Sequence, residues 1–317
     1  MRYIRRAIYA SSVGIAVVAC GASPAEADCA DLLQRFNAAI AREAVAEAIA
    51  LETQIGGDAV CGGRLVDVQR RRAALQLKLA QPLLAPGAPS AQAERLLLQA
   101  DEPEVLWQAA KAVGDMRFSQ HRFADATAAF ERALEIIKNP AKTPRAPDSS
   151  MTSQIFDRAT RSRILAASSE DRQRAAIYVP AAKDHRDGSP GGAFSADIRG
   201  FEPTVVPLPI QFETASAVLS PIGQKAASEL LEALRSQHPA QLTIVGHADE
   251  RGGEEYNLRL SESRVKAVKK FLQDGGITAQ ITTIAKGKRD PLKVDGLSDL
   301  SREEMWALNR RVEWRRE

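Results

Sequence analysis

The 317-residue chain is poor in features that mark several large functional classes. Aromatic residues make up only 5% of it, and its three cysteines lack the close spacing of a zinc site. The net charge is +3, from 43 basic and 40 acidic residues, so the strongly basic character of nucleic-acid-binding proteins is missing. Hydrophobic residues make up 44%, and alanine is frequent, which favours a helix-rich globular protein long enough for two domains.

The N-terminus carries a short apolar run rather than a membrane span. Three arginines in MRYIRR precede AIYASSVGIAVVA, a run of 13 mostly apolar residues. A helix that crosses a bilayer needs about 20 such residues. A basic start, a short apolar core and small residues at the cleavage site are typical of a secretory signal peptide. We therefore expect the protein to be exported.

Two processing sites compete at the end of this segment. The A-E-A triplet at 25–27 would end a signal peptide at 1–27 and leave Asp28 as the first residue. V-V-A-C at 17–20 resembles a bacterial lipobox, in which 1–19 is removed and Cys20 is lipidated. A lipid on Cys20 would anchor the protein to the outer membrane instead of leaving it free. The sequence leaves both possibilities open.

The other two cysteines remain whichever site is used. Cys29 and Cys61 leave an even number of cysteines in a protein of an oxidising compartment. We therefore expect a disulfide between them rather than two buried free thiols. The bond would close a loop of about 30 residues and stabilise the fold by roughly 3–4 kcal/mol.

Residues 28–178 show the spacing of successive helices, broken by GGDAVCGG and by a proline cluster after position 81. The segment EVLWQAAKAVGDMRFSQHRFADATAAFERALEIIKNP resembles one tetratricopeptide repeat, a helical hairpin that binds proteins in tandem arrays. The matching small and aromatic positions are Gly114, Ala126, Phe130 and Ala133. Arg117 and His121 depart from the repeat pattern, and a generic helical bundle is the alternative. We predict an all-α domain of repeat-like helical hairpins.

Residues 179–202 are rich in Pro, Gly, Ser and charge, which predicts a linker. From 203 to 317 strand and helix patterns alternate, beginning with a strand over PLPIQFE and ending with one over RRVEWRR. The order predicts a second, α+β domain arranged β-α-β-α-β-α-β.

A row of polar side chains marks the second helix of this domain. Its apolar stripe includes Leu258 and Val265, yet Asn257, Ser261 and Arg264 lie along the same side. A buried polar row must meet polar partners, either within the protein or in a ligand. The preceding loop contains Asp249 and leads into the helix N-terminus, so Asp249 can reach the same place.

At these residues the sequence resembles the OmpA-like peptidoglycan-binding domain. GHADERGGEEYNLRLSESRVKAV matches the family's core motif, and NRRVE at 309–313 matches its ending. The resemblance covers 203–317. Ala248 stands where the family usually has threonine, which removes one hydroxyl from the loop.

The resemblance implies a ligand, the diaminopimelate residue of a cell-wall stem peptide. The free end of this residue carries an ammonium and a carboxylate on one carbon. By carry-over, Asp249 pairs with the ammonium and Arg264 takes the carboxylate. Asn257 orients the loop or the ligand, and Arg310 is a lesser candidate beside the last strand.

These expectations combine into a non-enzymatic protein of the Gram-negative periplasm or outer membrane, without cofactor or metal. It would bind peptidoglycan and tether a helical module, which binds an unknown envelope protein, to the wall. The alternative is a scaffold whose main role is protein–protein interaction through the helical region. Nucleophile and phosphate-loop motifs are missing from the sequence, which argues against catalysis.

Overall fold

The computed structural model describes residues 24–84, 90–168, 197–208, 210–213, 215–292 and 300–316. The predicted lipidation site Cys20 and most of the predicted linker, up to 196, lie outside the described residues. Within these ranges, no helix combines the length and apolarity needed to cross a membrane. The chain divides into two compact units, one ending at Leu65 and one beginning at Val66.

The first unit is a helical hairpin closed by a disulfide. Helices α1 (Pro24–Ala41) and α2 (Val45–Gly57) precede a short 3-10 helix at Cys61–Arg64. Cys29 and Cys61 are bonded, with their Cα atoms 5.4 Å apart, which confirms the predicted pairing. The carboxylate of Asp58 accepts hydrogen bonds from the backbone N–H groups of Val60 and Cys61, and so holds the turn that presents Cys61.

Further helices follow, and apart from Leu65, the first residue of the first of them, they belong to the second unit. They are α3 (Leu65–Ala80), a 3-10 turn at Gln81–Leu83, α4 (Ala91–Asp101), α5 (Trp107–Ser119), α6 (Phe123–Lys138) and α7 (Ser149–Ser168). Helices α5 and α6 form the hairpin predicted from the repeat-like segment, with a turn at His121, where φ is +57°. The all-α expectation is confirmed, while the tetratricopeptide character of the hairpin stays a prediction.

A four-stranded mixed sheet with three helices completes the unit, as predicted. Its elements are β1 (Val205–Leu208), α8 (Pro221–Gln237), β2 (Gln241–His247), α9 (Glu254–Asp274), β3 (Gln280–Gly287), α10 (Arg302–Asn309) and β4 (Val312–Arg316). The strand order is β1-β4-β2-β3. Strand β4 runs antiparallel to β1 and β2, whereas β2 and β3 are parallel. Ser220 caps α8, and Ser301 with Glu304 forms a capping box on α10.

The apolar face of the sheet shares a core with α8 and α9. Ile244 pairs with Trp314 across β2 and β4, and both side chains are fully buried. Gly246 makes the close approach of α9 possible, because a Cβ there would lie 2.5 Å from Val265 Cγ1. This contact places the first turns of α9 beside the end of β2.

The opposite face of the sheet is charged and buried. Glu313 lies 3.3 Å from His247 Nε2, and it accepts hydrogen bonds from Arg311 at 2.9 Å and Arg315 at 3.0 Å. Burial raises the pKa of the Glu313 carboxyl. His247 and the guanidinium groups lower it by a larger amount, so that the pKa is about 2. The carboxylate is therefore stabilised in its charged form in the folded state.

Glu313→Gln is expected to change how stability depends on pH. Because folding lowers this pKa from 4.5 to about 2, the carboxylate contributes about 3 kcal/mol above pH 4.5, and this is lost as pH falls to about 2. The difference in free energy of unfolding between wild type and variant should shrink over that window. Urea unfolding followed by tryptophan fluorescence checks this, since all three tryptophans lie in the second unit. A pH-independent difference would contradict it.

Helix α7 and the sheet region share one hydrophobic core. The rings of Phe156 and Phe201 meet edge to face at 5.7 Å. Arg163 Nη2 donates to Glu229 Oε2 on α8 at 2.6 Å, and both side chains are buried. Gln211 Nε2 donates to the carbonyl of Ala167 at 2.5 Å. The described helices from α5 to α7 are thus built into the same body as the sheet, while the domain limits at 178 and 203 stay predictions.

Candidate functional site

A cleft of about 610 Å³ opens at the end of β2. One wall is the loop from Ala248 to Gly253 together with the first turns of α9, and the other is the segment around Phe212. All four side chains that the sequence nominated as ligand-binding line this cleft. They are Asp249, Asn257, Arg264 and Arg310.

Asp249 is the acidic centre of the cleft. Its Oδ1 accepts hydrogen bonds from the backbone N–H of Arg251 at 3.0 Å and from Arg251 Nε at 3.1 Å. Its Oδ2 accepts from Arg251 Nη2 at 2.7 Å and from Arg310 Nη1 at 2.9 Å. Burial disfavours the charged carboxylate, but the bonds from Arg251 and Arg310 outweigh it, so the pKa of Asp249 lies below its usual value. Asp249 is therefore ionised at neutral pH.

Arg264 lies on the opposite side of the cleft, held by the segment before α8. Its Nε donates to the carbonyl of Ser216 at 3.1 Å, and its guanidinium lies 5.0 Å from the centre of the Phe212 ring. Burial lowers the pKa of Arg264, and the neighbouring Arg310 lowers it further. An arginine remains charged despite such a shift, so the cleft presents a partly desolvated cation suited to an anionic group.

Asn257 holds the loop rather than standing free in the cleft. Its Nδ2 donates to the carbonyl of Arg251 at 2.7 Å, and the residue is buried. Ser261, one turn further along α9, accepts from the backbone N–H of Gly287 at 3.0 Å. Asn257 and Ser261 are therefore bonded inside the protein, although Asn257 and Arg264 both line the cleft.

The loop is also fixed from its outer side. Lys288 Nζ donates to the carbonyl of Gly252 at 2.9 Å and reaches that of Glu250 at 3.4 Å. Gly252 has a φ of +81°, which a side chain would strain, and it allows the chain to turn into α9. These contacts keep the backbone around Asp249 in one shape.

Arg251 is the site residue that the sequence reasoning missed. Its guanidinium bonds Asp249 and lies 4.3 Å from the centre of the Trp306 ring, a cation–π contact. Trp306 is in turn fixed by a hydrogen bond from its Nε1 to Glu250 at 3.0 Å. The i, i+2 spacing of Asp249 and Arg251 in the loop was the available signal.

Comparison with known proteins identifies the family of the region that contains most of this cleft. The OmpA family matches residues 211–303, which contain β2, α9, β3 and most of the cleft. The peptidoglycan-associated lipoprotein of Pseudomonas aeruginosa is 36% identical over 103 residues, or 32% of this chain and 58% of the relative. That of Agrobacterium fabrum is 36% identical over 104 residues, or 32% of this chain and 56% of the relative. The chain thus spans less than two thirds of these relatives.

A crystal structure is also similar to part of the chain. The peptidoglycan-associated lipoprotein from Burkholderia pseudomallei is 31% identical, with 34% of this chain and 88% of that chain covered and a TM-score of 0.28.

Proposed function

With residues 211–303 forming an OmpA-family domain, we propose that the protein binds peptidoglycan non-covalently and without catalysis, through the diaminopimelate of the stem peptide. The observation that carries the proposal is the presence of a carboxylate, Asp249, and a guanidinium, Arg264, in the lining of one cleft. Relatives that share this region are named peptidoglycan-associated lipoproteins, which supports the same ligand class.

The chemistry of the ligand fits the chemistry of the cleft. The free end of diaminopimelate carries an ammonium and a carboxylate on the same carbon. Asp249 supplies the acceptor for the ammonium, and Arg264 supplies a donor fork for the carboxylate. Arg310, which bonds Asp249 and lies near Arg264, adds positive charge on the carboxylate side. The partial burial of both charged groups strengthens each contact relative to bulk water.

In this proposal the cleft anchors the rest of the chain to the wall. The helices α3 to α7 and the disulfide-bonded hairpin are then displayed in the periplasm or at the outer membrane. A tetratricopeptide-like surface on this region would bind an envelope protein, and a lipid on Cys20 would add a second attachment. Export through the predicted signal segment brings the protein to the compartment where peptidoglycan lies.

Competition between two stem peptides tests the proposal. The protein is expected to co-sediment with purified diaminopimelate-type peptidoglycan. A soluble stem tripeptide with diaminopimelate should release it. The same tripeptide with lysine keeps the ammonium but lacks the carboxylate that Arg264 would bind, so it should release the protein at least about tenfold less effectively. Failure to co-sediment, or equal release by both peptides, would refute the proposal.

A further inference from the structure

The carboxylate proposed to bind the ammonium is already saturated. A carboxylate has about four lone-pair sites, and Asp249 receives four hydrogen bonds, three from Arg251 and one from Arg310. The Asp249 side chain is only 8% exposed. A ligand ammonium therefore reaches Asp249 only if one of the two guanidinium groups withdraws.

Arg251 is the group that can withdraw at lower cost. Its side chain is 54% exposed, against 37% for Arg310, so water can solvate it once it leaves Asp249. The Trp306 ring beside it offers a place where the guanidinium keeps a favourable contact. The loop does not depend on this side chain, because Asn257 and Lys288 hold it through backbone carbonyls.

We propose that Arg251 is a positioning residue that competes with the ligand ammonium for Asp249, so that a ligand binds appreciably only when a further contact offsets the displacement of Arg251. This inference rests on the proposed function. When a ligand that carries only an ammonium binds, its ammonium replaces the Arg251 guanidinium on Asp249. The two-pronged contact between Arg251 and Asp249 is then lost. A ligand that carries a carboxylate beside its ammonium also gains the contact with Arg264, which offsets the displacement of Arg251.

The competition lowers the apparent affinity for every ligand. When only a fraction of the protein is in the binding-competent state, the apparent affinity is the intrinsic affinity multiplied by that fraction. Removing the Arg251 side chain removes this reduction for both the zwitterion and the simple ammonium. Both gain by the same factor, because both displace Arg251 from Asp249 in the same way, and the contact with Arg264 is made with or without Arg251.

Calorimetric titration of the full mature chain with the two soluble stem tripeptides tests this inference. Arg251→Ala is expected to bind the diaminopimelate tripeptide about fivefold to tenfold more tightly than wild type. Binding of the lysine tripeptide should increase by the same factor, so that the ratio of the two affinities stays as in the wild type. Arg251→Lys, which keeps the charge but loses the fork, should lie between. Arg259→Ala removes the same charge from the exposed face of α9, where Arg259 pairs with Glu255, and should match wild type.

The outcomes separate this inference from the proposed function. Unchanged or weaker binding of the diaminopimelate tripeptide by Arg251→Ala, or an increase that the lysine tripeptide does not share, overturns the competition. If the competition is overturned in this way but Asp249→Asn loses binding in the same titrations, the proposed function still stands. If Asp249→Asn binds like wild type, the proposed function fails and the competition fails with it.

Discussion

Asp249→Asn and Arg264→Met are each expected to weaken binding to diaminopimelate-type peptidoglycan by about 100-fold or more, because each removes one of the two charged groups that would pair with the ligand. Asparagine keeps the shape of aspartate but loses the charge that attracts an ammonium. Methionine keeps the packing of Arg264 against Phe212 but loses the donors for a carboxylate. Sedimentation with purified peptidoglycan measures both effects.

Matched controls separate binding from charge and folding. Asp274→Asn changes an exposed carboxylate that pairs with Lys270 at the end of α9, and Arg259→Met changes an exposed arginine on the same helix. Both should sediment like wild type. Circular dichroism should show unchanged helix content in all four variants. Wild-type sedimentation by Asp249→Asn and Arg264→Met with intact structure would contradict the site.

Arg163→Met is expected to lower the free energy of unfolding of the second unit by about 3–5 kcal/mol, because it removes the buried cation to which Glu229 is hydrogen-bonded. Arg163 bonds Glu229 at 2.6 Å and lies 3.8 Å from Glu131, and its side chain is only 3% exposed. Burial raises the pKa of Glu229, and Arg163 opposes that rise. Urea unfolding followed by tryptophan fluorescence measures the loss.

A second variant tests whether the loss comes from an uncompensated charge. Arg163→Met combined with Glu229→Met replaces the buried pair by apolar side chains of similar length and should recover part of the stability. Arg122→Met breaks an exposed pair with Asp125 and should cost less than about 1 kcal/mol. If Arg163→Met costs no more than Arg122→Met, the ion pair does not hold α7 to α8.

The local features of this protein could be predicted from its sequence. Helical and strand periodicities gave the order of elements from 203 onward, because each depends on neighbouring residues. Asp249 and Arg264 could be placed together for the same reason, since a strand end, a short loop and the following helix are contiguous. The Cys29–Cys61 bond followed from counting cysteines in an exported chain.

Other features depend on contacts between distant residues and could not be predicted. Arg163 and Glu229 are 66 residues apart, and each alone has the pattern of an exposed helical charge. The hydrogen bond from Arg310 to Asp249 spans 61 residues. The first strand, predicted over PLPIQFE, is instead Val205–Leu208, paired with β4 at the sheet edge. Its limits depend on that long-range pairing, and an edge position tolerates Pro207.

A crystal structure of the protein with the diaminopimelate tripeptide tests the central claim most directly. The account predicts the ligand ammonium within hydrogen-bond distance of Asp249 and the adjacent carboxylate on Arg264, with the Arg251 guanidinium moved off Asp249. A tripeptide bound outside the cleft, or bound in it with neither charged group on these two side chains, would contradict the account.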